Sequence, residues 1–380
     1  MMISIAAISL AIWIFCVFLR GGYWRADVLG DDALPPPAAW PHIVAIVPAR
    51  NEAESIADSL TSLLIQDYPG RFSVVLVDDN SEDATASIAQ ALPQRTGSSV
   101  PLTVLRGQPL AEGWTGKLWA LQQGIAEAGK AAPDYLLLTD ADIVYEPGAL
   151  RNLAARAVSG RYVLTSLMVK LRCESLAERA FIPAFVYFFQ MLYPFAWVND
   201  PRSRTAAAAG GCMLVKADAL ARAGGIAVIR EALIDDCSLA RVMKARGPIW
   251  LGLTRRVRSI RASDAFGDIH TMVSRSAFAQ LRYSPVLLAL TLVGMALTYW
   301  APPLIALFGH GTARALALAA WALMAVSFWP ILRFYGLSPL WAPALPVIAT
   351  GYMAFTFSSA LQHMLGRGGR WKGRYQAKKP

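Results

Sequence analysis

Cysteine is scarce and scattered. Cys16, Cys173, Cys212 and Cys237 are the only four in 380 residues and no two form a C-x-x-C pair, which excludes a disulfide frame or a zinc site of ordinary spacing and suits a reducing compartment. Charge is thin as well, at 16% of residues against 55% hydrophobic, too little for an ordinary soluble protein. The shortage is uneven: residues 1–19 carry no charge while the stretch after residue 42 has a normal share, so the chain divides into membrane and globular parts. Acids number 26 against 36 Lys and Arg, for a net charge of +10. The cations gather near apolar segments and no nucleic-acid-binding module is present. Anionic lipid head groups are therefore the expected partners, and nucleic acid is not.

Met1 to Leu19 is long enough to cross a bilayer at ~1.5 Å per residue. It has no basic residues in front and no small-residue cleavage site behind, so residues 1–20 read as an uncleaved transmembrane anchor. Arg20 and Arg25 follow it and place the next domain in the cytoplasm, on a multi-pass protein of the inner membrane. Asp31 to Pro41, with Pro35-Pro36-Pro37, reads as a stiff spacer lifting that domain off the membrane. After a globular domain at 42–265, residues 266–284 have the spacing of one interfacial helix, with Met272, Val273, Ala277, Phe278 and Leu281 apolar. Residues 285–365 hold three apolar segments, Val286–Phe308, Ala313–Leu332 and Leu340–Leu365. The tail 366–380 has Arg367, Arg370, Lys372, Arg374, Lys378 and Lys379 and no acid. Three crossings put that tail outside, whereas its charge prefers the inside. Either the segment with Pro339, Pro343 and Pro346 dips without crossing, or the tail is an exception.

In the globular part, Leu136-Leu137-Leu138-Thr139-Asp140-Ala141-Asp142 is a strand pattern buried on both faces that stops at two carboxylates. Open α/β sheets bind ligands at that end, and paired oxygen donors there suit a divalent cation, Mg²⁺ or Mn²⁺, carrying phosphate oxygens. A surface turn is the plain alternative. His42–Val47 and Ser73–Val77 are further strand patterns, ending in Pro48-Ala49-Arg50-Asn51-Glu52 and Asp78-Asp79-Asn80-Ser81-Glu82. Strand and helix keep alternating through Leu102–Arg106 and Thr115–Ala128, the pattern of parallel βαβ units. Gly160–Lys170 and Cys212–Val215 are later strands, the second entered through Gly210-Gly211, which permits close backbone approach to a ligand.

Val47-Pro48-Ala49-Arg50-Asn51-Glu52, Val77-Asp78-Asp79-Asn80-Ser81-Glu82-Asp83-Ala84-Thr85, Gly116-Lys117-Leu118-Trp119-Ala120-Leu121 and Asp140-Ala141-Asp142 resemble the ordered motifs of the family 2 glycosyltransferases. The resemblance covers roughly residues 42 to 250. With the membrane segments and Gly113-Trp114-Thr115-Gly116-Lys117, it is narrowest to the hopene-associated glycosyltransferases. It implies a GT-A fold, an α/β Rossmann-like nucleotide-sugar-binding domain, between N- and C-terminal transmembrane helices. Pro48, Arg50, Asn51, Glu52, Asp78, Asp79, Lys117 and Asp140 would then line the donor site, a UDP-sugar being expected. Glu52 and Asp79 would contact the uridine-like part and Lys117 the phosphates, and Asp142 with Asp140 would hold the cation. Gly210, Gly211, Asp235 and Arg282 would stand on the acceptor side. Asp235-Asp236 matches the family's Glu-Asp pair with a shorter first acid, and its second acid, Asp236, would be the catalytic base.

Residues alone leave other readings open. Asp235 and Asp236 begin a helix over Leu239, Val242 and Met243, where aspartates are ordinary caps. Phe181–Trp197, uncharged and aromatic, is either a helix at the membrane interface lining an apolar acceptor groove or a buried core helix. Arg255, Arg256, Arg258 and Arg261 form a basic run that suits solvent or lipid phosphates. Gln280-Leu281-Arg282-Tyr283 only loosely resembles the Q-x-x-R-W element of polymerising relatives, which speaks against processive synthesis. His270 is a lone histidine, more in keeping with a structural role than with a metal ligand. The sequence thus points to a metal-dependent, inverting, non-processive transfer of a sugar from a nucleotide-sugar to a lipid-like acceptor, hopanoid or polyprenyl. A nucleotidyltransferase using the same carboxylate spacing, and a non-catalytic transporter or lipid-binding scaffold, are the competing readings.

Overall fold

The computed structural model describes residues 1–366 and the backbone of Arg370–Trp371 and Arg374–Tyr375. The remainder of the basic tail lies outside the described residues. The chain opens with α1 (Met2–Ile14), closed by a π-helical turn at Phe15–Leu19. There follow β1 (Ile43–Ala49), α2 (Ile56–Leu64), β2 (Phe72–Asp78), α3 (Thr85–Thr96), β3 (Leu102–Arg106), α4 (Gly116–Gly129) and β4 (Tyr135–Thr139). The second half of the domain contains β5 (Ile143–Tyr145), α5 (Ala149–Ser159), β6 (Leu164–Lys170), α6 (Leu176–Leu192), α7 (Phe195–Asn199), β7 (Cys212–Lys216), α8 (Ala217–Arg222), α9 (Asp235–Lys244) and β8 (Ile249–Ser259). Two short helices, α10 (Phe266–Ser274) and α11 (Ala277–Gln280), lead to α12 (Pro285–Met295), α13 (Ala301–Phe308), α14 (Gly311–Phe334) and α15 (Leu345–Met364), with β9 (Arg370–Trp371) and β10 (Arg374–Tyr375) paired beyond them.

One mixed sheet has the order β3-β2-β1-β4-β7-β6-β8-β5. β1 to β4 are parallel, as the βαβ alternation predicts, and β1 and β4 are buried along their whole length. β7 runs antiparallel to β4 with Cys212 opposite Thr139, so its entry through Gly210-Gly211 meets the carboxyl end of β4. β5 pairs antiparallel with β8, Ile143 opposite Ser259, which brings the end of β8 to the same rim. Alternate side chains of the strands feed opposite layers: Ile43, Ala45 and Val47 face α2, α3 and α5, while Val44 and Ile46 share a layer with Leu118 and Leu121 of α4.

That second layer continues without a break into Met324, Phe328 and Ile331 of α14 and Leu345 and Phe355 of α15. Among the described residues, four helices are long and apolar enough to cross a membrane: Met2–Leu19, Pro285–Phe308, Gly311–Phe334 and Pro339–Met364. α1 docks on the others, Trp13 Nε1 donating to the Thr298 carbonyl at 2.9 Å and Ser9 Oγ to that of Leu297 at 3.1 Å. Tyr187 of α6 bonds the hydroxyls of Tyr23 (2.9 Å) and Ser327 (2.7 Å) in a buried chain, and the described span of α6 is half core, half partly exposed. The core reading thus holds for its buried half, and the segment breaks at Tyr193-Pro194 rather than running on.

Three expectations are corrected. The linker does not lift the domain away: the backbone of Gly30 packs where a Cβ would come within 2.5 Å of the Leu253 carbonyl, and Asp31 accepts from the Thr254 hydroxyl and the Arg255 N–H, clamping the segment on β8. The helix expected over 266–284 is two, because the Ser274 carbonyl takes the Ser359 hydroxyl of α15 and the Phe278 N–H donates back to that same oxygen, ending one helix and starting the next. The strand expected from Gly160 begins at Leu164.

Candidate functional site

The loops after β1 and β2 are stitched together. Asn51 and Asn80 both take positive φ, which asparagine tolerates. Asn51 Oδ1 accepts the Glu82 N–H at 2.8 Å, and the Asn51 N–H donates to Ser81 Oγ at 3.0 Å. Arg50 donates to the Asp79 carbonyl at 2.6 Å, Asp78 accepts the Ser81 N–H at 3.2 Å, and Pro48 lies in β1 beside Val77. Asp78, Asp79 and Glu52 are all buried. The expected donor-side residues therefore share one wall of the rim.

The carboxylates after β4 diverge to different cations. Asp142 Oδ2 accepts Ser259 Oγ at 2.7 Å and Arg261 Nε at 3.1 Å, while Arg261 Nη2 reaches Glu52 Oε1 at 2.7 Å. Asp140 Oδ1 pairs instead with Lys117 Nζ at 2.8 Å. Both Asp142 contacts fall on Oδ2, so Oδ1 can face a cation. Among the described residues no group of three or more His, Cys, Asp and Glu side chains is arranged to hold a metal. The pair suits a hard cation that takes its remaining oxygens from a diphosphate and water.

Lys117, in the first turn of α4, joins this rim to α9. Its ammonium lies 3.2 Å from Asp235 Oδ2 as well as 2.8 Å from Asp140. Burial alone would lower its pKa, but the two carboxylates outweigh burial and hold it above the ordinary lysine value. Asp235 answers in kind: burial would raise it, yet Lys117 keeps it below the usual carboxylate range. The shortened first acid of the Asp-Asp pair is thus the counter-ion of Lys117.

Asp236 faces the other way. Its Oδ2 accepts the Gly210 N–H at 3.0 Å and its Oδ1 the Cys237 N–H at 2.6 Å, so it caps its own helix only in part. A Cβ on Gly210 would lie 3.4 Å from Lys117 Nζ and 3.5 Å from Asp236 Oδ2, ordinary contact distances that put the Gly210 backbone between the two groups. Gly211 is fixed alongside by Thr139, whose hydroxyl donates to its carbonyl at 2.8 Å. Burial, then the charge of Asp235, pushes the Asp236 carboxyl up to about 6. A carboxylate with that value can take a proton near neutrality.

Two residues of this site were not anticipated from the sequence: Ser259 and Arg261, brought to Asp142 by β8. Arg261 had been grouped with Arg255, Arg256 and Arg258, but the run is not one patch. Arg255 lies over the Phe334 ring at 5.2 Å and Arg261 turns into the site. The available signal was the alternation of Val257 and Ser259 (buried) with Arg256 and Arg258, the mark of a strand. Arg282 does not join the carboxylates. It stands on a separate cavity beside α9, and Gln280 donates to the Tyr193 hydroxyl at 2.7 Å. His270 bonds Ser358 of α15.

Residues 44–223 match the family model described as glycosyl transferase family 2. Over 127 residues the chain is 28% identical to an undecaprenyl-phosphate 4-deoxy-4-formamido-L-arabinose transferase of Pseudomonas aeruginosa, a match covering 33% of this chain and 35% of that protein. Over 123 residues it is 32% identical to a 4,4'-diaponeurosporenoate glycosyltransferase of Staphylococcus aureus, covering 32% of this chain and 28% of that one. The matches span about a third of the length of these curated relatives. A mannosyltransferase from Pyrobaculum calidifontis, solved with GDP-Man and Mn²⁺, superposes with a TM-score of 0.57 at 20% identity, covering 95% of this chain and 98% of that one, a likeness of fold.

Proposed function

Since residues 44–223 belong to glycosyl transferase family 2 and have its GT-A fold, we propose that the protein transfers a sugar from a nucleotide-sugar to a lipid-like acceptor at the membrane. The observation that carries this is Lys117, one ammonium held between Asp140 of the donor rim and Asp235 beside the candidate base. Pro48, Arg50, Asn51, Glu52, Asp78, Asp79, Lys117 and Asp140 hold the donor, a UDP-sugar, with Glu52 and Asp79 toward the base. The protein stands in the inner membrane with its catalytic domain cytoplasmic, where such donors are found.

Asp236, beside Gly210 and Gly211, removes the proton of an acceptor hydroxyl; a lipid phosphate is already ionised, and toward that acceptor Asp236 orients the attacking oxygen instead. The acceptor oxygen forms its bond to the anomeric carbon as the bond to the diphosphate oxygen breaks, and the electron pair leaves with the diphosphate. One displacement with no enzyme nucleophile inverts the centre, and one product is released per encounter. Asp142, with Asp140 beside it, would hold Mg²⁺ or Mn²⁺, and the ion would supply positive charge for the departing diphosphate. Lys117 and Arg261 add fixed charge on either side. The structural relative solved with GDP-Man and Mn²⁺, and the curated relative named for a lipid phosphate, support this reading; hopanoid and polyprenyl lipids are the acceptor classes it takes in.

The test is incorporation of labelled sugar into extractable lipid by the purified full chain, with UDP- and GDP-sugars offered separately. Release of diphosphate from a nucleoside triphosphate in place of sugar transfer would overturn it in favour of nucleotidyl transfer.

A further inference from the structure

Beyond the carboxylate site, the described residues line an open cavity of about 1140 Å³ between the segment before α9, α9 itself and α11. Its wall carries Arg230, Arg241 and Arg282 against a single acid, Glu231. Each of the three arginines is exposed, and none has an ion pair or side-chain hydrogen bond to any described residue. Three arginines lining one hollow without carboxylate partners are suited to an anion by charge, and each carries a planar fork that matches phosphate oxygens.

Its place in the molecule says what bears the anion. Arg282 stands three residues before Pro285, where the first span after the domain begins. None of the residues of α12 is buried, and Val286, Leu290 and Val293, at helical spacing on one face, are 68%, 62% and 69% exposed. A head group in the cavity would have its chain continue along that face. Arg282 and Tyr283 are both held at positive φ, 53° and 56°, a conformation unfavourable for non-glycine residues. The Tyr283 ring stacks on His363 of α15 at 4.3 Å, so the membrane helices fix the position of Arg282.

We propose that this cavity binds the phosphate of a lipid, with Arg230, Arg241 and Arg282 as its ligands and the apolar face of α12 as the track for the lipid chain. Ile234 and Cys237 line the cavity on either side of Asp235-Asp236, while Asp236 itself points to Gly210. The phosphate is therefore received next to the carboxylates and apart from them. That the bound lipid is the sugar acceptor rests on the function proposed above; that the cavity binds it does not.

The experiment measures binding to the full chain in a neutral detergent, with no sugar donor present, using farnesyl phosphate, farnesol and inorganic phosphate as separate probes. Farnesyl phosphate is expected to bind at least tenfold more tightly than either of the others. Arg241→Gln and Arg282→Gln should each weaken it by about tenfold, the usual worth of one charged hydrogen-bonded contact, and Arg95→Gln on α3 should not. Melting curves of each variant separate a lost ligand from a lost fold, and Arg241→Lys, which keeps the charge, should lose less than the glutamine. Equal binding of farnesol, or full affinity in both glutamine variants with normal melting, would overturn the phosphate site. Inorganic phosphate binding as tightly as farnesyl phosphate would overturn the lipid half. Nucleotide affinity is measured on the same preparations: its absence would sink the transferase reading and leave the lipid result standing.

Discussion

Replacing Lys117 by methionine tests the link between the two halves of the site. The ammonium and the Asp236 carboxylate both lie within about 3.5 Å of the point a Gly210 Cβ would occupy, so they are at most about 7 Å apart. At an effective dielectric of about 20, unit charges at that distance interact by roughly 2 kcal/mol, and one pKa unit is about 1.4 kcal/mol. Lys117 is 20% exposed, so solvent trims this. Asp236 acts in its ionised form, which Lys117 favours; without the cation its pKa rises. The acid limb of turnover, at about 6 in the parent, should therefore move up by about one unit in Lys117→Met. Below that limb the rate falls tenfold per pH unit in both proteins. Above about pH 8 the normalised profiles should coincide. The assay is kcat/KM for labelled sugar transfer across about pH 5 to 9, which reports the free enzyme, compared by shape because the variant also loses a phosphate-side charge. A limb that stays near 6 while only KM for the nucleotide-sugar rises would refute the coupling and leave Lys117 as a donor contact alone.

Asp236→Asn keeps the shape and, with one accepting oxygen, one of the two backbone hydrogen bonds from Gly210 and Cys237, but it cannot take a proton, so turnover should fall on the order of 10²- to 10⁴-fold with nucleotide affinity unchanged; near-normal transfer would point to a phosphate oxygen as the nucleophile. Asp142→Asn should remove the divalent-dependent part of nucleotide affinity, read by titration with and without chelator, and an unaltered chelator effect would count against Asp142 as a ligand. Tyr187→Phe strips the shared partner from the buried hydroxyls of Tyr23 and Ser327 and should cost about 1 to 3 kcal/mol, seen as a lower melting temperature. Gln94→Cys, exposed on α3, should resist impermeant thiol reagents in intact cells; ready labelling would place the domain outside.

The parallel half of the domain was legible because strands buried on both faces are continuous apolar runs, and β1, β2 and β4 each end abruptly in polar residues. β8 was not, since Arg255, Arg256 and Arg258 interrupt its second half and give it the look of a surface run. β5 has only three residues and exists through its pairing with Val257 and Ser259. The same difference separates the site residues. Asp140, Asp142, Lys117 and the Asp-Asp pair announce themselves at strand ends and helix starts. Arg261 does not, because its approach to Glu52, 209 residues back along the chain, depends on β8. The break after Ser274 was hidden for a like reason: Ser359, 85 residues away, supplies the hydrogen bond that ends the helix.

On the function proposed above, how the acceptor reaches Asp236 follows from the shared core. A domain on a flexible spacer could rock over the bilayer, but Asp31 on β8, Trp13 on Thr298 and the Tyr23–Tyr187–Ser327 chain tie the anchor, α6 and α14 to one layer of packed side chains. Three buried hydroxyls in series leave little freedom to slide, because any shift strands at least one of them without a partner. The rim carrying Asp140, Asp142 and Asp236 therefore stays at a constant height relative to the spans. A lipid cannot be met by lowering the domain onto it. On the function proposed above it comes sideways, along α12, none of whose residues is buried, to the arginines beside the start of α9, and the exposed face of α12 becomes part of the acceptor path for the same reason that the linker is not a spring.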